Sequence, residues 1–260
     1  MIVYYYSATG NSLHVAKMIA AGMPGGALAS MPRWLEQPRP ATGEDCLGLV
    51  FPMHYFGAPP LVRKFVEKLE PAPAAYVFAV VTCGHHLLGS ALHQIAGLLQ
   101  DKGKKLDAGF YVDMVSNYIP LAQLPPPGRR QDRLAGADEK VRQIIGAIGN
   151  RAHIIEPEYF RWPCQAISSY WRNNLISRAP TRFTNSADCT GCGLCAEICP
   201  VENIRLESGR PAWQNHCQEC LGCLHICPAQ SINFGRTQGR TRYRHPEVAA
   251  AELVRGKAER

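Results

Sequence analysis

The sequence contains 260 residues, of which 46% are apolar, and 28 Lys and Arg outnumber 21 Asp and Glu to give a formal net charge of +7. There is no run of 18 apolar residues and no basic segment at the start, which argues against a membrane span or a secretory signal. We therefore expect a cytoplasmic protein of about two domains. The basic residues are not interleaved with stacking aromatic residues, so we expect no nucleic-acid partner.

The first predicted element is a buried strand over residues 2–6, followed by a short turn and a helical pattern. A small, hydroxyl-rich turn between a strand and a helix presents backbone N–H groups and the helix dipole to an anion, which predicts a phosphate site. The lysine of a P-loop is missing, and the alternative is a structural helix cap. The turn consists of Ser7, Ala8, Thr9, Gly10, Asn11 and Ser12. It closely resembles the flavodoxin phosphate loop, S/T-x-T-G-N-T/S, and this resemblance implies FMN as the cofactor.

Further apolar runs predict strands near residues 27–30, 46–51, 76–81 and 106–114. Helices are predicted after Pro59-Pro60, after Gly89 and over 134–148. Alternating strands and helices predict a parallel sheet with helices on both faces. Residues 1–150 are therefore predicted to form a flavodoxin-like, doubly wound α/β domain with five strands.

Two further strand ends, at residues 52–57 and 82–89, fall at the same edge of the predicted sheet as the turn. Ligands of open parallel sheets bind outside the carboxyl ends of the strands. In the flavodoxin family, these two loops flank the isoalloxazine ring. The candidate ring contacts are Pro52, Met53, His54, Tyr55, Phe56, Gly57, Thr82, Cys83, Gly84, His85 and Gly89.

The loop at residues 52–57 holds the candidates for stacking on the flavin. Tyr55 or Phe56 could take this role, and the alternative for either is packing within the loop. The resemblance implies that Gly57 turns its backbone toward flavin N5 when the flavin is reduced, and the alternative is an ordinary turn glycine.

Histidines and cysteines of these loops are weaker candidates. His54, His85 and His86 could donate to the reduced flavin or simply be solvated. Cys83 is predicted near the flavin, but no His/Asp arrangement marks it as a nucleophile, so no catalytic residue is assigned. Cys46 and Cys164 are predicted as small buried residues.

Residues 151–185 are predicted to link the two halves without being a flexible spacer, because they are too rich in aromatic residues. We expect the aromatic side chains to pack between the domains, and the alternative is a satellite core. Residues 236–260 are predicted as a basic, partly helical and partly disordered tail. The aromatic residues concerned are Tyr159, Phe160, Trp162, Tyr170 and Trp171.

Residues 186–235 contain the most specific pattern, since Cys-x2-Cys-x2-Cys-x3-Cys-Pro occurs at 189–200 and again at 217–228. This is the spacing of bacterial ferredoxins, in which three cysteines of a run bind one [4Fe–4S] cluster and the fourth binds the other. Structural zinc usually pairs two Cys-x2-Cys knuckles across a longer gap, and disulfides fit secreted chains. The predicted ligands are Cys189, Cys192, Cys195 and Cys227 for cluster 1, and Cys217, Cys220, Cys223 and Cys199 for cluster 2. The second domain is thus predicted to be a small α+β ferredoxin-like module.

The order of the two modules resembles a family of fused flavodoxin–ferredoxin electron-transfer proteins of the EFR type. Residues 7–12, residues 51–56 with Pro59-Pro60, and Asn117-Tyr118-Ile119-Pro120 carry this resemblance, which spans nearly the whole chain. It implies FMN and two [4Fe–4S] clusters in one chain.

A flavin exchanges one or two electrons and each cluster passes one, so the leading hypothesis is an electron carrier between protein redox partners. Basic residues concentrate in 151–185 and 229–260, beside an acidic cluster core, which predicts acidic partners. The alternative is a flavin-dependent reductase of a small quinone-like or nitro-like substrate, although no nicotinamide-binding domain is visible. A redox sensor is a third class, and no DNA-binding motif supports it.

Overall fold

The computed structural model describes residues 1–36, 44–73 and 75–254. Its first half contains a parallel sheet of β1 (Ile2–Tyr5), β2 (Ala27–Ser30), β3 (Cys46–Pro52), β4 (Tyr76–Cys83) and β5 (Ala108–Asp113). The strand order is β2-β1-β3-β4-β5, which is the flavodoxin-like order. In the register, Tyr5 lies beside Val50, and Pro52 lies beside Thr82. The exits of β1, β3 and β4 therefore meet at one edge of the sheet.

In the described part of this module, five helices surround the sheet: α1 (Asn11–Gly22), α2 (Met31–Trp34), α3 (Pro60–Lys68), α4 (Ala91–Gln100) and α5 (Pro127–Gly149). Side chains alternate along each strand, so one face of the sheet packs against α1 and α5 and the other against α2, α3 and α4. The predicted fold class is confirmed. Helix α5 begins earlier than the predicted residue 134, because its first two turns are polar and carry no apolar periodicity.

The connection between the two modules, residues 151–182, becomes helical at α6 (Arg161–Tyr170) and continues through shorter turns to Arg182. Among its aromatic residues, only Trp171 is buried. The expectation that the others also pack between the domains is wrong, because the small side chains of Cys164 and Ser168 face inward instead. The exposed aromatic residues are Tyr159, Phe160, Trp162 and Tyr170.

The second module has two short helices, α7 (Leu194–Glu197) and α8 (Gly222–Ile226), one within each cysteine run. Strand β6 (Phe183–Asn185) pairs with β9 (Ile232–Phe234), and β7 (Ile204–Glu207) pairs with β8 (Arg210–Trp213), both antiparallel. These elements enclose a third apolar cluster that includes Ile119 from the first module.

The segment after the second module packs against the first one. Tyr243, His245 and Val248 are buried, and the backbone N–H of His245 donates to the Thr9 carbonyl at 2.8 Å. Helix α9 (Ala250–Leu253) follows. Residues 236–254 are therefore an ordered cover over the turn at 7–12. The predicted helical part of the tail occurs as α9, the predicted disorder is wrong for residues 236–254, and residues 255–260 of that prediction lie outside the described residues.

No helix within the described ranges combines the length and the apolar character that a membrane crossing requires.

Candidate functional site

Two adjoining cavities lie at the carboxyl edge of the sheet. The small cavity, about 110 Å³, is lined by the turn at 7–12 and by the exits of β3 and β4. The large cavity, about 440 Å³, is lined by residues 53–56, by the loop after β4 and by residues 219–221. Of the predicted flavin-site residues, all but Gly10, Gly57 and Gly89 line one cavity or the other. Both cavities share Met53, His54, Gly84, Ser116, Asn117, Tyr118 and Cys220.

The turn between β1 and α1 is organised by its own polar groups. The backbone N–H of Gly10 donates to Ser7 Oγ at 3.1 Å, and Gly10 has a φ of 101°, which favours glycine. A Cβ on Gly10 would lie 2.8 Å from the Cβ of His245. The amide of Asn117 donates to Thr9 Oγ1 at 2.6 Å, which leaves the Thr9 hydroxyl proton available to an anion. With the N-terminus of α1 beside it, the small cavity fits a phosphate group.

Tyr55 joins the loop after β3 to the second module. Its ring stacks on Trp171 with centroids 4.4 Å apart, and its hydroxyl donates to Glu219 Oε1 at 2.7 Å. Both Tyr55 and Phe56 have positive φ values, 43° and 64°, a conformation that surrounding contacts must hold in place. Both residues line the large cavity, so both remain candidates for contact with the flavin ring.

Two of the predicted glycines lie behind the cavity walls. Gly57 exchanges backbone hydrogen bonds with His54, and a Cβ there would lie 2.1 Å from Ser168 Oγ. At Gly89, a Cβ would lie 3.0 Å from both Met53 Sδ and the Tyr111 hydroxyl. Close packing with neighbouring side chains therefore accounts for glycine at both positions.

The histidines of the loops differ in their surroundings. Burial lowers the pKa of His54 to about 4, so this ring is neutral at pH 7. His85 is exposed at the rim of the large cavity. His86 lines neither of these two cavities, and its Nδ1 lies 2.9 Å from an Asp113 carboxylate oxygen. His54 alone among them lines both cavities.

The cysteines outside the two runs are all buried. Cys83 lines the small cavity, and its Sγ lies 3.4 Å from Asp113 Oδ1. Burial, aided by the negative charge of Asp113, raises the pKa of the Cys83 thiol, so the nucleophilic thiolate is disfavoured. Burial also raises the pKa of Cys46 and Cys164.

The cysteine runs come together crosswise. A separate cavity, away from the edge of the sheet, is bounded by Cys189, Cys192 and Cys195 of the first run and by Cys227 of the second. Burial and the charges of neighbouring thiols, Cys199 among them, raise the pKa values of Cys217, Cys220 and Cys223, which places Cys199 beside the second set. In the part of the chain that the structure describes, no three Cys, His, Asp or Glu side chains converge on a position for a single metal ion. Four thiols spread around a cavity fit a cluster of several irons.

A buried carboxylate connects the second cysteine set to the flavin side. Glu219 lies between Cys217 and Cys220, and its carboxylate accepts hydrogen bonds from Tyr55, from the Tyr118 hydroxyl at 2.8 Å and from Trp171 Nε1 at 3.1 Å. Burial is the main reason that the pKa of Tyr118 is raised, to about 12. We call Tyr55, Tyr118, Trp171 and Glu219 the junction.

Sequence reasoning did not assign Glu219, Asn117 or Tyr118 to the site. The only available signals were the resemblance carried by residues 117–120 and an acidic residue placed between two ligand cysteines, where the anionic cluster makes it unexpected.

Comparison with known proteins places the clearest similarity in the second module. Residues 188–232 match the family of 4Fe-4S dicluster domains. No curated protein matches the chain.

Three solved structures illustrate the similarity of the remainder. Rubredoxin oxygen:oxidoreductase from Desulfovibrio gigas is 12% identical with a TM-score of 0.35, and the match covers 58% of this chain and 36% of that one. A candidate flavoprotein from Bacteroides uniformis is 21% identical with a TM-score of 0.32, covering 43% and 88%. The flavodoxin of Streptococcus pneumonia TIGR4 is 12% identical with a TM-score of 0.31, covering 55% and 97%. The chain thus spans about a third of the oxidoreductase, and the fold assignment rests on the strand order.

The flavodoxin-like sheet and the iron–sulfur domain occur in one chain, and Cys220 of the second module lines both cavities at the edge of the sheet. These findings support a flavin and an iron–sulfur cluster in an electron-transfer protein.

Proposed function

We propose that this chain is a cytoplasmic electron-transfer protein of the fused flavodoxin–ferredoxin kind, which binds FMN and two [4Fe–4S] clusters and exchanges electrons with acidic protein partners. One observation carries the proposal: Cys220, a ligand in the second cysteine set, lines both cavities proposed for the flavin. The second module also packs closely against the turn at 7–12, because a Cβ on Gly222 would lie 3.2 Å from the Ala8 carbonyl oxygen.

The residues divide the binding task. The turn at 7–12 would hold the phosphate, with Thr9 and the N-terminus of α1 as its donors. The loops at 52–57 and 82–89 and Tyr118 would enclose the ring, and the two crosswise cysteine sets would hold the clusters. When bound, the flavin exchanges one or two electrons and each cluster exchanges one, which allows single electrons and pairs to be interconverted.

The contribution of the chain is to keep these sites adjacent and dry. Tyr6 is 1% exposed, with its hydroxyl buried beside the Cys220 thiol, and the Glu219 side chain is 2% exposed. The junction fixes Tyr55 to Trp171 of the connection through a ring stack and to Glu219 of the second module through a charged hydrogen bond, so the relative position of the two sites does not depend on one flexible linker. The proposed division at residues 150, 185 and 235 therefore describes sequence modules that function as one unit.

The proposal is tested by composition. Protein purified without oxygen should contain about eight iron and eight acid-labile sulfide ions per chain with one FMN. Absorption, flavin fluorescence after denaturation and EPR of the reduced protein would measure these groups. Stoichiometric zinc with no sulfide would contradict the cluster assignment, and a protein with clusters that never binds FMN would contradict the flavin assignment.

A small-molecule reductase is the second candidate, and the rim of the large cavity favours it. Leu88 and Leu121 line this cavity and are 40% and 82% exposed. An apolar, open rim suits a quinone-like or nitro-like compound. Rapid turnover of such a compound, independent of any protein acceptor, would favour this function over electron carriage.

A further inference from the structure

Helix α6 has an unusual distribution of side chains. Residues Trp162, Ile167 and Tyr170 are 69%, 47% and 60% exposed, although an amphipathic helix normally turns its apolar face toward the core. The inward face carries the smaller Cys164 and Ser168. The outer face is therefore apolar, aromatic and uncharged, and it consists of Trp162, Pro163, Ala166, Ile167 and Tyr170.

The apolar surface continues on both sides of the helix. Phe160 is 69% exposed and Tyr159 is 52% exposed just before α6, and Leu175 is 39% exposed after it. Exposed apolar residues concentrated in one segment are uncommon on monomeric proteins and mark a binding surface.

Positive charge borders this surface. Residues 159–187 contain four arginines and no Asp or Glu. The guanidinium of Arg161 lies 5.0 Å from the ring centroid of Trp162. Burial lowers the pKa of Arg172, Arg63 of α3 lowers it further and Glu67 of α3 raises it, so the charges that α3 brings to this region are mixed. The positive charge of residues 159–187 themselves favours an anionic partner.

A lipid surface fits these features better than a redox protein. Trp and Tyr combine an apolar ring with one polar group, which suits the boundary between lipid headgroups and acyl chains, and arginine pairs with anionic headgroups. The inward side of the segment holds Trp171, which contacts Tyr55 and Glu219, so the apolar face points away from the junction. A redox protein docked there would not contact the junction, whereas a membrane needs no such contact.

We propose that the outer face of α6, bordered by Arg161 and Arg172, attaches the protein to anionic lipid membranes. The helix would lie parallel to the membrane, with its aromatic side chains at the level of the headgroups. This attachment is independent of the electron-transfer proposal.

The test is co-sedimentation of the cofactor-loaded protein with vesicles of phosphatidylcholine and phosphatidylglycerol. We expect Trp162→Glu with Ile167→Glu to weaken binding at least about tenfold, because two charges enter the apolar face. Both residues are exposed, so the fold should persist, which is checked by iron and flavin content. The matched control is Ile154→Glu. Ile154 is also 47% exposed but lies outside α6, near Gly109 at the amino end of β5. This control variant should bind vesicles like the unchanged protein.

Lipid composition and salt provide the second arm. Vesicles of pure phosphatidylcholine should bind several-fold more weakly, and added salt should weaken binding to the anionic vesicles. Absence of binding to anionic vesicles, or equal binding by the double variant and the control, would overturn the proposal. If the unchanged protein binds no vesicles but forms a dimer in sedimentation velocity or a complex with an acidic ferredoxin, and the double variant loses that association, the face belongs to that partner instead.

Discussion

The two cysteine runs have the same spacing but occupy different surroundings. In the first set, Cys192 is exposed and the thiols border a cavity at the surface. In the second set, none of the four cysteines is exposed, and Cys220 faces the cavities proposed for the flavin. The spacing determines what the thiols can bind, whereas their neighbours determine what the bound group can reach. The second site is therefore expected to exchange electrons with the flavin, and the first with molecules outside.

The strongest test of this comparison removes one ligand from each run. Because the fourth cysteine crosses over, Cys199→Ala should abolish cluster 2 and Cys227→Ala cluster 1, each lowering iron content to about half. Only Cys199→Ala should also stop reduction of cluster 1 by the flavin. EPR and stopped-flow absorption would measure both effects, with Cys164→Ala as the control because this buried thiol lies outside the runs. Loss of the cluster belonging to the mutated run would contradict the crosswise assignment.

A second test separates the flavin from both clusters. The double variant Thr9→Val with Gly10→Val removes the Thr9 hydroxyl. It also places a side chain on a residue with a φ of 101°, where a Cβ would lie 2.8 Å from the Cβ of His245. FMN affinity should fall about hundredfold, which is about 3 kcal/mol, while iron content stays constant. Titration of the flavin-free protein with FMN would measure this.

The control for that variant is Gly103→Val. Gly103 also has a positive φ, 68°, but a Cβ there meets no atom within 4 Å. Its FMN affinity should be unchanged, so equal weakening by both variants would mean that general backbone strain, rather than the phosphate turn, is responsible.

Glu219 offers a smaller and more selective change. Replacing the carboxylate by an amide in Glu219→Gln removes a negative charge beside cluster 2, which stabilises the reduced cluster and should raise its potential by about 60 mV, a tenfold change for one electron. Cluster 1 should keep its potential. Lost hydrogen bonds from the junction should also cost about 1–3 kcal/mol of unfolding free energy. EPR-monitored redox titration would measure the potentials, and equal shifts at both clusters would contradict the assigned position of Glu219.

The smallest expected effect concerns the outer site. Electron exchange with an acidic ferredoxin should fall several-fold as ionic strength rises from about 0.02 to 0.3 M, because salt screens the attraction. Arg205→Glu, next to Leu206 at the border of the first cysteine set, should mimic this fall, whereas Arg142→Glu on α5 should not. Salt-independent exchange would instead favour the small-molecule reductase.

Sequence charge alone would have directed this last test to the wrong residues. Arg240, Arg242 and Arg244 dominate the basic charge of the C-terminal segment, but each donates to a backbone carbonyl, those of Ile119, Ile232 and Val248 respectively. Reversing their charge would disturb the packing of the segment, so it could not isolate electrostatic attraction.

The features that sequence could predict are local. The turn at 7–12, the strand periodicity and the cysteine spacing each fall within a few consecutive residues, and the structure places these patterns on the expected elements. The junction could not be predicted, because Tyr55 and Glu219 are 164 residues apart and nothing in either neighbourhood signals the other. The exposed face of α6 could not be predicted for a related reason. Aromatic composition predicts burial on average, and only the packing shows which side of the helix faces inward.

The cover over the phosphate turn has a consequence for the order of synthesis. Tyr243 donates to Asn11 Oδ1 at 2.6 Å across 232 residues, and His245 donates to the Thr9 carbonyl. Domains generally fold from the N-terminus as the ribosome proceeds, so the sheet can form before residues 243–248 leave the exit tunnel. The turn acquires these contacts only after residues 243–248 emerge, by which time both cysteine runs have been released. The site proposed for the phosphate would therefore be completed after both cysteine runs, although its own residues are made first.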